Sequence, residues 1–135
     1  MRAQRINPIL NVSNIVESFA WFEKFGWQKG FEWGDPTTFG SVRSGHCEIF
    51  LAQGGQGSRG KGSNKFTFGP EGDSTADKGV WVSVWVQDVD AEHRNCIAQG
   101  LEVVWPPTEH PWGVREMHVR HPDGHVFRVS QSLGG

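Results

Sequence analysis

The sequence predicts an α+β fold built as two tandem βαβββ modules, and three observations carry that prediction. First, landmarks recur along the chain: Val12 and Val86 close a strand, Asn14 and Asp88 stand at helix N-caps, and Gly26 and Gly100 end the helices, each pair 74 residues apart. Second, hydrophobic period switches from strand-like to helix-like and back within each half. Third, a Gly-rich polar stretch separates the halves. The chain of 135 residues is thus read as one domain, with module 1 at about 5–52, a linker at about 53–79 and module 2 at about 80–131.

In the first module, Arg5 to Val12 reads as a strand with Pro8 near its start, where a missing N–H is tolerated. Asn14 and Glu17 have capping-box spacing, with Asn in place of the usual Ser or Thr. Ile15, Phe19, Phe22 and Phe25 recur at helical spacing over residues 14–25, and Gly26 suits the position after the helix. Trp27 to Trp33, Thr37 to Arg43 and His46 to Ala52 read as three strands, split by Gly34-Asp35-Pro36 and Ser44-Gly45.

Residues 53–64 are Gly-rich and polar, the composition of a loop. Gly55, Gly57 and Gly60 match G-x-G-x-x-G, and Gly55 to Lys61 nearly matches a P-loop. Both motifs need a helix to follow, whose N-terminal N–H groups hold phosphate. Lys65-Phe66-Thr67-Phe68-Gly69-Pro70 is no helix start, and Gly62 stands where a P-loop needs Ser or Thr. The stretch reads as a linker.

In the second module, Val80 to Val86 alternates strictly: valines at even positions, with Trp81, Ser83 and Trp85 opposite. Asp88 caps a helix over 89–99 whose core face carries Val89, Cys96 and Ile97, and Gly100 ends it. Leu101 to Trp105 is the next strand. Pro111-Trp112-Gly113 then enters a hairpin. Its first strand carries Met117 and Val119 on one face and Glu116, His118 and Arg120 on the other. The turn is His121-Pro122-Asp123-Gly124, and extension resumes at His125.

Composition narrows the function. No apolar run is long enough to span a membrane and no secretory h-region is evident, so a cytoplasmic protein is expected. A net charge of −2 argues against nucleic acid as the main partner. Cys47 and Cys96 sit in apolar contexts and read as free, buried thiols. Seven Trp and nine Phe with no Tyr supply more flat apolar surface than a small core needs, which points to ligand stacking.

His118, His121 and His125 cluster in the hairpin, with His110 and Glu116 near, but no three of them share a strand face, so a metal site there is not expected. Glu116 and His118 do share a face. They are read as polar anchors for a ligand, an acid/base pair, or a structural hydrogen bond across the sheet. The valine face of the Val80–Val86 strand packs on helices, so Trp81, Ser83 and Trp85 face a cavity or an interface. Phe50 has the same parity on its own strand. Phe31, Trp33, Phe39, Trp105 and Trp112 lie near strand ends. Some of these rings, Phe50 and Trp81 first, can instead simply fill the sheet.

The sequence resembles the vicinal oxygen chelate superfamily: glyoxalase I, extradiol dioxygenases, fosfomycin-resistance and bleomycin-resistance proteins. The resemblance rests on Phe19-Ala20-Trp21-Phe22, Phe25-Gly26-Trp27 and His121-Pro122-Asp123-Gly124-His125. It implies a cup of two half-barrels with the helices outside. Catalytic members hold a divalent metal through His and Glu on four strands. Those positions fall on Asn7, on Phe50 with Glu48 as the other inward candidate, on Trp81 and on Arg128. Rings and a guanidinium are not metal ligands, so no metal and no cofactor are expected.

Val84-Trp85-Val86, Pro111-Trp112-Gly113, Arg115-Glu116, Arg120 and Pro122-Asp123-Gly124 are similar to motifs of the bleomycin-resistance branch. The sequence departs from that branch at His121, where Asp is common, at the extra Val114, and in its longer Gly-rich loop. This resemblance implies a homodimer that sequesters a bleomycin-like or other planar antibiotic without turnover, in two aromatic grooves at the dimer interface, each built from parts of both chains. Expected ligand contacts are Phe39, Glu48, Phe50, Trp81, Ser83, Trp85, Trp112, Gly113, Glu116, His118 and Arg128. Glu48 and Glu116 are expected to attract a cationic ligand tail. The alternative is a metal-dependent lyase, dioxygenase or thiol transferase of the same superfamily.

Overall fold

The computed structural model describes residues 1–54 and 79–134. The chain divides into two units, Met1–Ser58 and Arg59–Gly135. In the first, β1 (Ile9–Val12), α1 (Ile15–Lys24), β2 (Gln28–Trp33), β3 (Phe39–Ser44) and β4 (Cys47–Gln53) follow in order. In the second, β5 (Trp81–Trp85), α2 (Val89–Ala98), β6 (Glu102–His110), β7 (Val114–Arg120) and β8 (Val126–Ser132) repeat the pattern. Each unit holds an open four-stranded mixed sheet, ordered β1-β4-β3-β2 and β5-β8-β7-β6. In both, the first strand runs parallel to the last and the other neighbours are antiparallel. The fold is α+β in two tandem βαβββ modules, as the sequence predicts.

The repeat extends to the helix ends. Asn14 and Asp88 accept the N–H of the residue three places on, Glu17 and Ala91. The first helical N–H of each unit goes to a glutamine from the last strand: Ile15 to Gln53 at 2.8 Å, and Val89 to Gln131 at 2.9 Å. Two of the N–H groups left unpaired by helix geometry are satisfied this way in each helix. At the C-termini, Gly26 and Gly100 take positive φ (97° and 73°). Trp27 N–H then reaches Phe22 O and Leu101 N–H reaches Cys96 O, closing the same Schellman motif twice.

The helices cover one face of each sheet. In the first unit Leu10, Val12, Val42, Ile49 and Leu51 meet Ile15, Phe19 and Phe22 in the core. Gly40 permits this approach, since a Cβ there would stand 2.7 Å from the Phe19 ring and 2.6 Å from Phe31 O. The second core is Met117, Val119, Phe127 and Val129 under Val89 and Cys96. Burial raises the Cys96 thiol to about 11, with the Glu92 charge adding to it.

Several sequence expectations need correction. β1 begins at Ile9 rather than Arg5, because Pro8 offers the ladder only its carbonyl, to Phe50 N–H. Ile97 is exposed, not core, because it lies about 100° around α2 from Cys96. Cys47 is exposed, since it opens β4 beside the Gly45 turn. Gln53 belongs to β4 rather than to the Gly-rich stretch, most of which lies outside the described residues. β6 runs on through Pro106 and Pro107 to His110, which an edge strand with register shifts allows.

Candidate functional site

The face of the second sheet opposite α2 is set by the alternation in β5. Trp81, Ser83 and Trp85 are exposed while Val82 and Val84 are partly covered. Register then aligns residues in rows across the sheet. Ser83 pairs with Arg128, Arg128 with His118, and His118 with Trp105. The next row is Trp85, Ser130, Glu116 and Thr108. Six of the expected contact residues, Trp81, Ser83, Trp85, Glu116, His118 and Arg128, are therefore brought to one face.

Glu116 is the fixed centre of this face. Its carboxylate is buried and accepts from Arg128 through Nε at 2.9 Å and Nη2 at 3.1 Å. His118 Nε2 lies 3.2 Å from Oε2, and His110 Nε2 lies 3.7 Å from Oε1. Hydrogen bonding from Arg128 holds the Glu116 carboxyl below its usual pKa, opposed by burial and aided by His118, and the same pair raises Arg128. The Trp81 and His118 rings meet edge to face with centroids 5.2 Å apart, and the Trp105 centroid lies 6.5 Å from that of His118.

Trp112 joins this set through His110. The two rings stack at 4.6 Å with an angle of 2°. Gly113 makes the corner possible, with φ of 86° and an N–H bonded to His110 O. Sequence reading did not include His110 or Trp105 among the contact residues. Extending β6 past Pro106-Pro107 would have placed Thr108 and His110 opposite Glu116 and Val114, on the tryptophan face.

In the first unit, Phe39 and Phe50 form a triangle with Phe31, centroids 5.6–5.7 Å apart. Beside it Glu48 accepts from the Ser41 hydroxyl at 2.6 Å and from Arg43 at 3.2 Å. The Ser41 bond is the main cause of its lowered pKa. Both Glu48 and Glu116 are thus already paired with an arginine of this chain, Arg43 and Arg128.

The positions that the resemblance assigns to metal ligands do not fit a divalent ion. Phe50 packs on two rings, the Asn7 amide donates to Glu48 O, Trp81 offers only its indole, and Arg128 is a cation forked on Glu116. Among the described residues no three His, Cys, Asp or Glu side chains are grouped to hold a metal. His121 and His125 are buried. His121 Nδ1 accepts Asp123 N–H and His125 Nδ1 accepts Val80 N–H, each at 3.0 Å, so His121 fixes the hairpin turn and His125 ties the hairpin to the start of β5. No helix among the described residues is long and apolar enough to cross a membrane.

Comparison with known proteins agrees with this architecture. TioX from Micromonospora sp. ML1 is 21% identical, with 98% of each chain covered and a TM-score of 0.69. A bleomycin-binding protein solved in complex with bleomycin is 15% identical over 96% of this chain and 99% of its own, with a TM-score of 0.69. A glyoxalase/bleomycin resistance protein/dioxygenase from Nocardioides is 18% identical over 100% and 87%, with a TM-score of 0.72. At these identities the likeness is one of fold. No curated protein matches the sequence. The family model for the Glyoxalase/Bleomycin resistance protein/Dioxygenase superfamily matches residues 5–129, and the chain belongs to that superfamily.

Proposed function

We propose that the chain is a binding protein that sequesters a planar small molecule, a bleomycin-like antibiotic or another planar natural product, on the tryptophan face of its second unit. The observation that carries this reading is the exposure of four indoles there. Trp81, Trp85, Trp105 and Trp112 are 47%, 62%, 50% and 67% exposed around a buried Glu116 paired with Arg128. Large exposed rings at a rigid polar centre are what a stacked ligand needs, and rings lose little side-chain entropy on docking. Ser83, Gly113, His118 and Arg128 supply the polar contacts. Phe39, Phe50 and Glu48 give the first unit an aromatic face of the same kind. The non-ligating side chains at the superfamily's metal positions support binding without turnover.

We further propose that the two units act as one domain, that the protein works as a cytoplasmic homodimer, and that it needs no cofactor. Calorimetric titration with metal-free and copper-loaded bleomycin tests the ligand. Saturable binding at micromolar protein is expected, and no heat with either form removes the bleomycin assignment. Light scattering at the same concentrations tests the dimer, which a mass of one chain, 15.1 kDa, refutes.

A further inference from the structure

We infer that the ligand of the tryptophan face carries an acidic group that docks on Arg128 and Ser83, so that the site selects planar aromatic acids over aromatic cations. This rests on the proposed function above and deepens it: of the ligands named there it favours an acidic planar natural product over one with a cationic tail. The argument begins with what Arg128 has left to offer. A guanidinium has five N–H donors in a fixed fork. The bonds to Glu116 use Nε and one N–H of Nη2. Nη1 has no partner among the described residues, and the side chain is 45% exposed while that of Glu116 is 2% exposed. The end-on edge of the fork, Nη1 with the second N–H of Nη2, is therefore open for a second carboxylate.

The neighbours of Arg128 agree. Ser83 is its register partner on β5 and is exposed, placing a hydroxyl on the same face one strand over from Arg128, on the side away from Glu116. Trp81 and Trp85 flank Ser83 at two-residue spacing on the same face, about 7 Å to either side. A ring stacked on either indole places a carboxylate on the ring within reach of the Ser83–Arg128 pair. An ammonium in that place meets a guanidinium and no exposed carboxylate, because the Glu116 side chain is 2% exposed and already paired with Arg128. The acidic residue next to the site makes the Arg128 fork rigid and does not recruit a cation.

The test uses three probes of one size, 2-naphthoate, 2-naphthamide and 2-naphthylmethylammonium, titrated into the full chain and read by tryptophan fluorescence and calorimetry. The acid is expected to bind about tenfold or more tighter than the amide, as one charge-assisted fork provides, and the ammonium weakest. Arg128→Gln alone strands a buried carboxylate, so the informative variant is Arg128→Gln with Glu116→Gln. It is expected to bind acid and amide equally, at the affinity of the amide for the parent protein. Ser83→Ala is expected to lower acid binding severalfold and leave amide binding unchanged. Equal affinity for acid and ammonium in the parent, or an acid preference that survives in the double variant, overturns the inference while leaving the stacking surface intact. No response to any of the three probes overturns the surface itself, and the inference with it.

Discussion

Stability is expected to fall as pH drops from neutrality, and His121 is the residue that carries the loss. Its ring is buried, and Nδ1 accepts the N–H of Asp123 at 3.0 Å. A proton on Nδ1 would set two donors against each other inside the protein. Burial, with the neighbouring His125 acting in the same direction and Asp123 opposing, lowers the His121 pKa from 6.5 to about 3. Between those values the unfolded chain binds a proton that the folded chain refuses. Folding free energy is therefore fully retained above pH 6.5 and declines as pH falls toward 3. The limiting slope is about 1.4 kcal/mol per pH unit, which makes roughly 2 kcal/mol between pH 6.5 and 5 and on the order of 5 kcal/mol in all. Glu116 also has a depressed pKa, but its loss begins only as pH falls below its ordinary 4.5, so the upper window separates histidine from carboxylate effects. The control is His121→Asn, whose Oδ1 stands near the place of Nδ1 and accepts the same N–H without titrating. Losing ring atoms costs the variant roughly 1–3 kcal/mol at every pH. The assay is urea unfolding followed by tryptophan fluorescence at pH 7, 6 and 5. The parent curve should steepen toward acid while that of the variant stays flatter. Parallel pH dependence in the two proteins would refute the assignment.

Two further expectations concern the architecture beneath the site. Gly40→Ala should lower stability by about 2 kcal/mol, because the Phe31 carbonyl that a Cβ would strike is backbone of the adjacent strand and cannot turn away. A thermal melt unchanged from the parent would contradict that packing. Gln53→Ala and Gln131→Ala should each cost about 1 kcal/mol, since each leaves the first N–H of a helix without its acceptor. Denaturant midpoints measured on both variants should shift together, and a shift in only one would show that the two helix starts are not held alike.

The sequence alone determined what depends on local spacing. Asn14, Asp88, Gly26 and Gly100 mark helix ends because capping and positive φ are requirements of the backbone within a few residues. The alternation from Val80 to Val86 sorted Trp81, Ser83 and Trp85 onto one face, because strand side chains alternate whatever the partner strand. The parity of Glu116, His118 and Arg128 followed from the same rule. Tertiary structure decided what depends on register. The helix starts are held by Gln53 and Gln131, about 40 residues away along the chain, and no local pattern reveals that. The Pro106-Pro107 step hid the strand that carries Thr108 and His110 to the face of Glu116, because proline breaks local signals but is tolerated on an edge. Most consequential is the charge of the site. In the sequence Glu48 and Glu116 were carboxylates without partners, and they suggested a cationic ligand. Cross-strand pairing gives them Ser41, Arg43 and Arg128, and the open edge left on this face is that of the arginine. Residue type fixes which charges exist, but only the pairing of strands decides which of them remains available to a ligand.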